Sequence, residues 1–197
     1  MRLGRTVGSD AATTLARAFL ADTLALSRCC GADEVVVAYT PSAARPAFAK
    51  LAPRARLVAQ PRAGFGVRLR RALDAGHAEG KRVVLIGTDS PTLPAAIVRR
   101  GFARLERADC VLGLAMDGGY YLIGAREPLP RSLFAGMPWS SGTVGAETLR
   151  RARDAGLRVA LLPTWYDVDD RAGLTRLAAD HRLSRAPHTR AALSRLG

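Results

Sequence analysis

Residues 82–92 read RVVLIGTDSPT, an apolar run followed at once by polar, turn-forming residues. An unbroken run of Val, Leu and Ile is typical of a strand that is covered on both faces of a sheet. Segments with helical periodicity lie on either side of it, over residues 67–79 and 94–107. A strand between two such helices predicts an α/β fold with a largely parallel sheet.

The rest of the chain repeats this alternation. Asp117-Gly118-Gly119 is a turn sequence between two apolar segments, so we expect these segments to pair as a hairpin, which makes the sheet mixed. We predict a three-layer α/β sandwich formed by one domain over residues 1–184, with a loose basic tail over residues 185–197. Further helices are predicted over residues 9–30, 42–52, 143–155 and 171–183, and further strands over residues 34–40, 56–60, 109–115, 120–124 and 158–162.

Composition excludes several classes of protein. No apolar run approaches the roughly 20 residues of a membrane span, and the first residues lack the apolar centre of a signal peptide, so we expect a soluble, cytoplasmic protein. The three cysteines have no metal-binding spacing. The net charge of +13 fits nucleic acid, an anionic membrane surface or a phosphorylated substrate. Because no basic segment carries interleaved aromatic residues, we expect no nucleic-acid partner. The sequence leaves the oligomeric state open.

Acidic residues follow two of the predicted strands, at the edge where an open parallel sheet binds ligands. Asp89 follows RVVLIG, and Asp167 and Asp169 follow RVALLPTWY. A carboxylate at the tip of a buried strand needs a cation or a helix N-terminus beside it. The three carboxylates are predicted to hold Mg²⁺ or Mn²⁺, which suits a diphosphate-bearing substrate. The alternative is that Asp89 or Ser90 caps the helix that begins near Pro94.

Two further segments offer substrate contacts or ordinary structural roles. Gly118 and Gly119 allow close approach of a ligand or form a hairpin turn, and Tyr120-Tyr121 supply an amphipathic wall. Trp139-Ser140 precedes a predicted helix N-terminus, which favours an anion or serves as a cap. The chain contains no dinucleotide fingerprint, P-loop or nucleophile elbow, which argues against kinase-like and hydrolase classes.

Four segments together resemble a known bacterial family: GTDSPTLP at 87–94, ADCVLGLAMDGGYYLIG at 108–124, PWSSGTVGAETLRRARDAGL at 138–157 and LLPTWYDVDD at 161–170. This is the family of small glycosyltransferase-A-like proteins known as radical-SAM- or selenodomain-associated transferases, or as arsenosugar-biosynthesis glycosyltransferases. It belongs to the nucleotide-diphospho-sugar transferase superfamily. The similarity spans nearly the whole chain.

The resemblance implies a glycosyltransferase-A fold and roles for individual residues. Asp89 stands at the family's metal-binding aspartate, and Asp167 and Asp169 match its late acidic motif. Residues 117–121 match the wall of the donor sugar or acceptor. For a sugar transfer on this fold we expect Asp117 and Asp89 to be the catalytic residues, with Asp117 positioning or deprotonating the acceptor. The residues implied beside the nucleotide are Arg2, Gln60, Gly64, Gly66, Arg68 and Thr88.

The chain departs from the family at its first residues. Relatives begin with an apolar strand and a Gly-rich basic loop, of which only Arg2-Leu3 has a counterpart here. Since that strand is central in the architecture, we expect a break in the sheet beside the strands RVVLIG and EVVVAYT. Adding about 20 residues upstream, one strand and its loop, is expected to raise thermal stability and nucleotide affinity.

These expectations lead to one function and two alternatives. The first is metal-dependent transfer of a sugar from a nucleotide-diphosphate donor to a small-molecule acceptor. The second is nucleotidyl transfer to a phosphorylated small molecule, since the same fold hosts it. The third is an inactive nucleotide-binding module, whose affinity would be insensitive to Asp89→Ala and to chelator. The base, the sugar and the acceptor are left open.

Overall fold

The computed structural model describes residues 2–196, and the side chains of residues 3–196. The side chain of Arg2, which was matched with the nucleotide, therefore lies outside the described residues. No helix in the described range is long and apolar enough to cross a membrane. The helices are Arg2–Val7 (α1), Ser9–Arg28 (α2), Arg45–Leu51 (α3), Phe65–His77 (α4), Ala95–Arg104 (α5), Val144–Asp154 (α6), Arg171–Ala179 (α7) and Pro187–Leu196 (α8), and the strands are Val36–Tyr39 (β1), Arg56–Ala59 (β2), Val83–Ile86 (β3), Cys110–Ala115 (β4), Tyr120–Ala125 (β5) and Val159–Trp165 (β6).

A four-stranded mixed sheet forms the centre of the molecule, with strand order β3-β5-β4-β6. β4 pairs antiparallel with β5 and parallel with β6, so the predicted hairpin is confirmed. β5 also pairs antiparallel with β3 and thus lies between β3 and β4. The predicted α/β class with a mixed sheet is confirmed.

Helices cover both faces of this sheet because neighbouring residues of each strand point to opposite sides. Leu112 and Ile123 pack with Leu73 of α4 on one face. Val111 and Leu122 pack with Val98 of α5 on the other. These apolar layers place the carboxyl ends of β4 and β6 side by side at one edge of the sheet.

The predicted loose tail is wrong, because residues 187–196 form α8, which packs on α2. Ala192 of α8 is buried in an apolar cluster with Leu15 and Phe19 of α2. The buried Asp22 carboxylate accepts hydrogen bonds from the backbone N–H groups of His188, at 3.2 Å, and Thr189, at 2.7 Å. This cap satisfies free N–H groups at the start of α8. Local sequence patterns do not predict it, because Asp22 lies far from α8 along the chain.

A separate two-stranded parallel sheet is formed by β1 and β2. Within residues 2–196 neither strand pairs with β3, so the expected break between RVVLIG and EVVVAYT is confirmed. Ion pairs bring the beginnings of the three strands together: Arg56 contacts Glu34 at 2.8 Å and Glu79 at 2.6 Å, and Lys81 contacts Glu34 at 2.6 Å. β1 and β3 are therefore joined by exposed charges where a continuous sheet has hydrogen bonds.

Candidate functional site

Three aspartates converge at the carboxyl edge of the four-stranded sheet. Asp117, Asp167 and Asp169 each place a carboxylate oxygen within 4.8 Å of the others. Asp117 follows β4, and the other two follow β6. Because β4 and β6 are parallel neighbours, their ends carry these residues to the same place. The sequence predicted Asp89 in the position that Asp117 holds in this cluster.

The turn that carries Asp117 is held by backbone contacts. The Asp117 carboxylate accepts a hydrogen bond from the Gly119 N–H at 2.8 Å. Gly118 has a φ of 87°, and a Cβ atom there would lie 1.9 Å from the Gly142 carbonyl oxygen. The Gly118 carbonyl in turn accepts from the N–H of Gly145 at 2.8 Å, which docks the turn against the start of α6. The turn interpretation therefore accounts for Gly118 of the Asp-Gly-Gly sequence.

Asp89 lies beside the acidic cluster and is not the N-cap residue of α5. Its backbone carbonyl accepts a hydrogen bond from the Val168 N–H at 2.8 Å, so the loop after β3 meets the loop after β6. Thr88 donates a long hydrogen bond of 3.4 Å to the Asp89 carboxylate. Helix α5 has Pro94 at its N-cap position and no side-chain cap, so the capping alternative for Asp89 and Ser90 is wrong. Both loops thus bring carboxylates to one edge.

A buried hydrogen-bond network fixes these two loops to each other. Ser90 donates to the Tyr166 carbonyl at 2.9 Å, and the Tyr166 hydroxyl lies 2.7 Å from the Thr92 hydroxyl. Tyr166 also donates to Asp180 at 2.7 Å. The pKa of Tyr166 is raised, mainly because the side chain is buried. The pKa of Asp180 is lowered: burial alone would raise it, but the hydrogen bond from Tyr166 stabilises the charged carboxylate. At neutral pH the Tyr166 hydroxyl therefore donates a hydrogen bond to the Asp180 carboxylate.

The segment that carries Asp167 and Asp169 ends in a capped helix. The Asp170 side chain accepts from the Gly173 N–H at 2.8 Å, so Asp170 is the N-cap of α7. A Cβ atom on Gly173 would lie 2.9 Å from the Asp167 carbonyl oxygen. The cap and this close approach hold the acidic segment directly against the first turn of α7.

Four of the residues matched with the nucleotide lie in or just before the first turn of α4, whereas Thr88 lies on the loop after β3. Gln60 donates to the Ala38 carbonyl at 3.0 Å and accepts from Arg68 at 2.9 Å. Gly64 is the N-cap of α4. A Cβ atom on Gly66 would lie 2.8 Å from the Trp139 ring, so this glycine lets the indole pack against the helix.

Trp139 belongs to an aromatic pair that sequence reasoning missed. Its ring meets the ring of Phe65 edge-on, with centroids 4.9 Å apart, and the Arg68 guanidinium lies 5.5 Å from the Phe65 centroid. The Phe65 side chain is nevertheless among the exposed large apolar residues. Ser140, next to Trp139, has a φ of 69°, which bends the chain before α6. The sequence around Phe65 does not predict this contact, because its partner Trp139 lies on another loop.

Tyr120 and Tyr121 do not form one wall of the site. As consecutive residues of β5 they point to opposite faces of the sheet, into two different apolar clusters. The Tyr121 hydroxyl donates to the Pro163 carbonyl at 2.7 Å, and burial raises its pKa to about 12. Burial also raises the pKa of Tyr120. Both rings therefore serve the core beneath the acidic cluster.

The positively charged side chain of Arg176 lies next to the acidic cluster, although no pattern in the sequence predicts it there. The Arg176 guanidinium contacts the Met116 sulfur, one residue before Asp117, and lies 5.8 Å from the centroid of the Tyr166 ring, one residue before Asp167. Carboxylate oxygens are the ligands that hard divalent cations prefer, and three within 4.8 Å suit Mg²⁺ or Mn²⁺ equally. The edge can thus combine a bound cation with an arginine that attracts anionic substrates.

Solved structures share this fold. A provisionally named nucleotide-diphospho-sugar transferase of Desulfovibrio desulfuricans G20 is 29% identical with a TM-score of 0.79, covering 99% of this chain and 90% of its own. Rv0371c of Mycobacterium tuberculosis H37Rv, solved in complex with manganese, is 20% identical with a TM-score of 0.54, covering 82% of this chain and 86% of its own. A nucleotidyl transferase of Methanothermobacter thermautotroptrophicus is 16% identical with a TM-score of 0.56, covering 84% and 81%.

No curated protein is similar enough to the chain to count as a match. One family model does match, that of DUF2064, described as uncharacterized protein conserved in bacteria. The match extends over residues 23–141 and therefore includes Asp89, Asp117 and the aromatic pair, but not Asp167 and Asp169. As it spans more than half of the sequence, the chain belongs to the DUF2064 family.

Proposed function

We propose that this protein transfers a sugar from a nucleotide-diphosphate donor to a small-molecule acceptor with the help of a divalent cation. The observation that carries the proposal is the convergence of Asp117, Asp167 and Asp169 within 4.8 Å at the carboxyl edge of the sheet. Ligands of open α/β sheets bind at this edge. Like-charged carboxylates at such a distance repel each other, and a cation between them removes that cost.

Two comparisons support this choice. The Desulfovibrio desulfuricans protein, which carries a nucleotide-diphospho-sugar transferase name, is similar over 99% of this chain. The Mycobacterium tuberculosis protein shares the fold and was solved with manganese. The Desulfovibrio desulfuricans protein supports a nucleotide-diphospho-sugar as the donor. The Mycobacterium tuberculosis protein supports a divalent cation that binds together with this donor. Mn²⁺ and Mg²⁺ both fit an all-oxygen ligand set.

Each acidic residue has a defined part in the proposed reaction. Asp117, Asp167 and Asp169 would hold the cation, which supplies positive charge to neutralise the departing nucleoside diphosphate. Asp89, on the neighbouring loop, would accept a hydrogen bond from the acceptor hydroxyl and receive its proton. The acceptor oxygen then forms a bond to the anomeric carbon of the sugar. The bond from that carbon to the diphosphate breaks, and the nucleoside diphosphate leaves with the electron pair.

The loops need to hold these groups in fixed positions for this reaction. The hydrogen bond from Val168 to Asp89 and the Ser90–Tyr166–Thr92 contacts supply that rigidity. Asp117 is oriented by the Gly119 N–H. Preorganised groups of this kind need no rearrangement when charge develops on the leaving diphosphate.

The test is release of nucleoside diphosphate from UDP-, GDP-, CDP- and dTDP-sugars, with Mn²⁺ and with chelator. We expect release with at least one donor, dependent on the cation. Asp169→Asn should reduce the rate by about a hundredfold or more, the scale of losing a group that stabilises developing charge. Asp33→Asn, which makes the same chemical change on an exposed loop before β1, should leave the rate within about twofold.

Other outcomes distinguish the alternatives. Release of pyrophosphate from a nucleoside triphosphate, dependent on a phosphorylated acceptor, would replace sugar transfer with nucleotidyl transfer. Nucleotide binding that survives both chelator and Asp89→Ala, with no release from any donor, would indicate a binding module. An Asp169→Asn variant that matches the wild type in rate would contradict the proposal.

A further inference from the structure

A second concave surface lies between α2, α3 and α8. It is a groove of about 620 Å³. None of the acidic residues of the candidate site lines it. Its rim carries Arg17, Arg28, Lys50 and Arg195, and His188 lies at the start of α8. Its floor is apolar and includes Ala18, Leu24 and Ala192, each of which is buried.

The groove gathers cations that have no carboxylate partner. Only a minority of the described Lys and Arg side chains pair with carboxylates, among them Arg56, Arg70, Lys81, Arg150 and Arg158. The four rim cations belong to the larger, unpaired group and form no ion pair with any carboxylate of residues 3–196. Four like charges around one concavity repel each other unless an anion neutralises them.

The buried carboxylate of Asp22 does not serve this purpose. Asp22 lies on α2 beneath the groove and is 4% exposed. Its carboxylate is engaged by the backbone N–H groups of His188 and Thr189 at the start of α8. The described lining itself contains no carboxylate. The groove therefore combines an unneutralised cationic rim with an apolar floor.

We propose that this groove binds a small phosphate ester, with the phosphate among the arginines and the apolar or planar part of the ligand on the alanine and leucine floor. Arginine and lysine both bind phosphate well, arginine through paired N–H groups. A volume of about 620 Å³ lies within the range of small-molecule sites. Such a size fits a single organic ester.

The test titrates 1-naphthyl phosphate into the full chain in EDTA, with 1-naphthol and inorganic phosphate in parallel, by calorimetry. We expect the ester to bind more tightly than either fragment, because only the ester uses rim and floor together. The double variant Arg17→Glu/Lys50→Glu should raise Kd by about tenfold or more, since it reverses two exposed charges of the rim. Both side chains are exposed, so the variant should fold.

The matched control is Arg107→Glu/Arg153→Glu, which makes the same change in net charge at exposed arginines outside the groove. It should leave Kd within about twofold. Asp169→Asn should also leave the affinity unchanged, which separates this groove from the proposed catalytic edge. Equal loss in the control and groove variants would reduce the effect to overall charge and overturn the proposal. Binding to anionic vesicles without binding to the ester would overturn it too.

Discussion

The two sheets of this protein are built from similar residues but differ in what covers them. In β4 and β5 nearly every residue is buried, and both faces meet helices. In β1 and β2 most residues are exposed or half-buried, and Val36 and Val58 are 42% and 40% exposed. None of the residues of β1 or β2 belongs to the apolar clusters found in the described chain. Apolar composition therefore favours a strand, whereas packing decides how much the strand stabilises the fold.

The two sheets are also held in the fold by different interactions. The four-stranded sheet is held by burial on both sides, which stabilises a fully buried valine or leucine by about 1.5–3 kcal/mol. The β1–β2 unit is held at its beginning by the Glu34, Arg56, Glu79 and Lys81 ion pairs. Near its end, the Tyr39 and Phe48 rings pack with centroids 5.2 Å apart. Exposed ion pairs contribute little, so the β1–β2 unit should open more readily than the central sheet.

Amide hydrogen exchange should show the largest difference between the two regions. Amides of β1 and β2 are expected to exchange with protection factors at least about a hundredfold lower than those of β4 and β5, because local opening exposes little apolar surface. The measurement is exchange by NMR or mass spectrometry. Equal protection factors in the two sheets would show that they open together, and would contradict the expected difference in their stability.

A matched pair of substitutions tests the same difference by stability. Val111→Ala in β4 removes methyl groups from a side chain with 0% exposure, and should lower the free energy of unfolding by about 2–3 kcal/mol. Val58→Ala in β2, at 40% exposure, should lower it by about 0.5 kcal/mol or less. Urea denaturation measures both. Similar losses would mean that β2 packs as tightly as β4.

Tyr166→Phe probes the loops above the well-packed sheet. It removes a hydroxyl that contacts Thr92 and Asp180, and should cost about 1–2 kcal/mol in urea denaturation because two polar partners are left buried. The pKa of Asp180 should rise, since the donor that favours its charged form is lost. An NMR titration of the Asp180 carboxyl measures this. An unchanged pKa would show that the hydrogen bond does not stabilise the carboxylate.

Acid should loosen the β1–β2 unit by a smaller amount. Hydrogen bonds from Arg56 and then Lys81 lower the pKa of Glu79 from 4.5 to about 2. A lowered pKa in the folded state means that the contribution is complete above pH 4.5 and is lost as the pH falls to about 2. Protection factors of β1 and β2 should therefore decline over this range. In Glu79→Gln the decline should be smaller, and an unchanged decline would assign it to other groups.

Most of the fold follows from local patterns, because burial on both faces leaves a clear signal. The continuous apolar run before Gly87 and the Asp-Gly-Gly turn predict β3 and the β4–β5 hairpin as they are observed. The insertion of β5 between β3 and β4 has no such signal, since strand order depends on contacts between distant segments. α8 was missed for the same reason, because its cap is Asp22.

The acidic edge was predicted only in part. Residue type and position after a strand pointed to Asp89, Asp167 and Asp169, whereas Asp117 was expected to be a catalytic residue and not a cation ligand. The grouping of Asp117 with Asp167 and Asp169 could not be read from spacing, because it arises from the parallel pairing of β4 with β6. Tyr120 and Tyr121 illustrate the opposite case: adjacent positions in the sequence predict one surface, whereas side chains alternate along β5 and point to opposite faces of the sheet.

The most direct measurement of the central claim is Mn²⁺ binding by electron paramagnetic resonance, with the wild type and single Asp→Asn variants. The geometry predicts one bound ion whose Kd rises about tenfold or more in Asp117→Asn, Asp167→Asn and Asp169→Asn. Asp33→Asn should bind Mn²⁺ as the wild type does. Wild-type affinity in Asp117→Asn, or no bound Mn²⁺ in the wild type, would contradict a cation site formed by these three carboxylates.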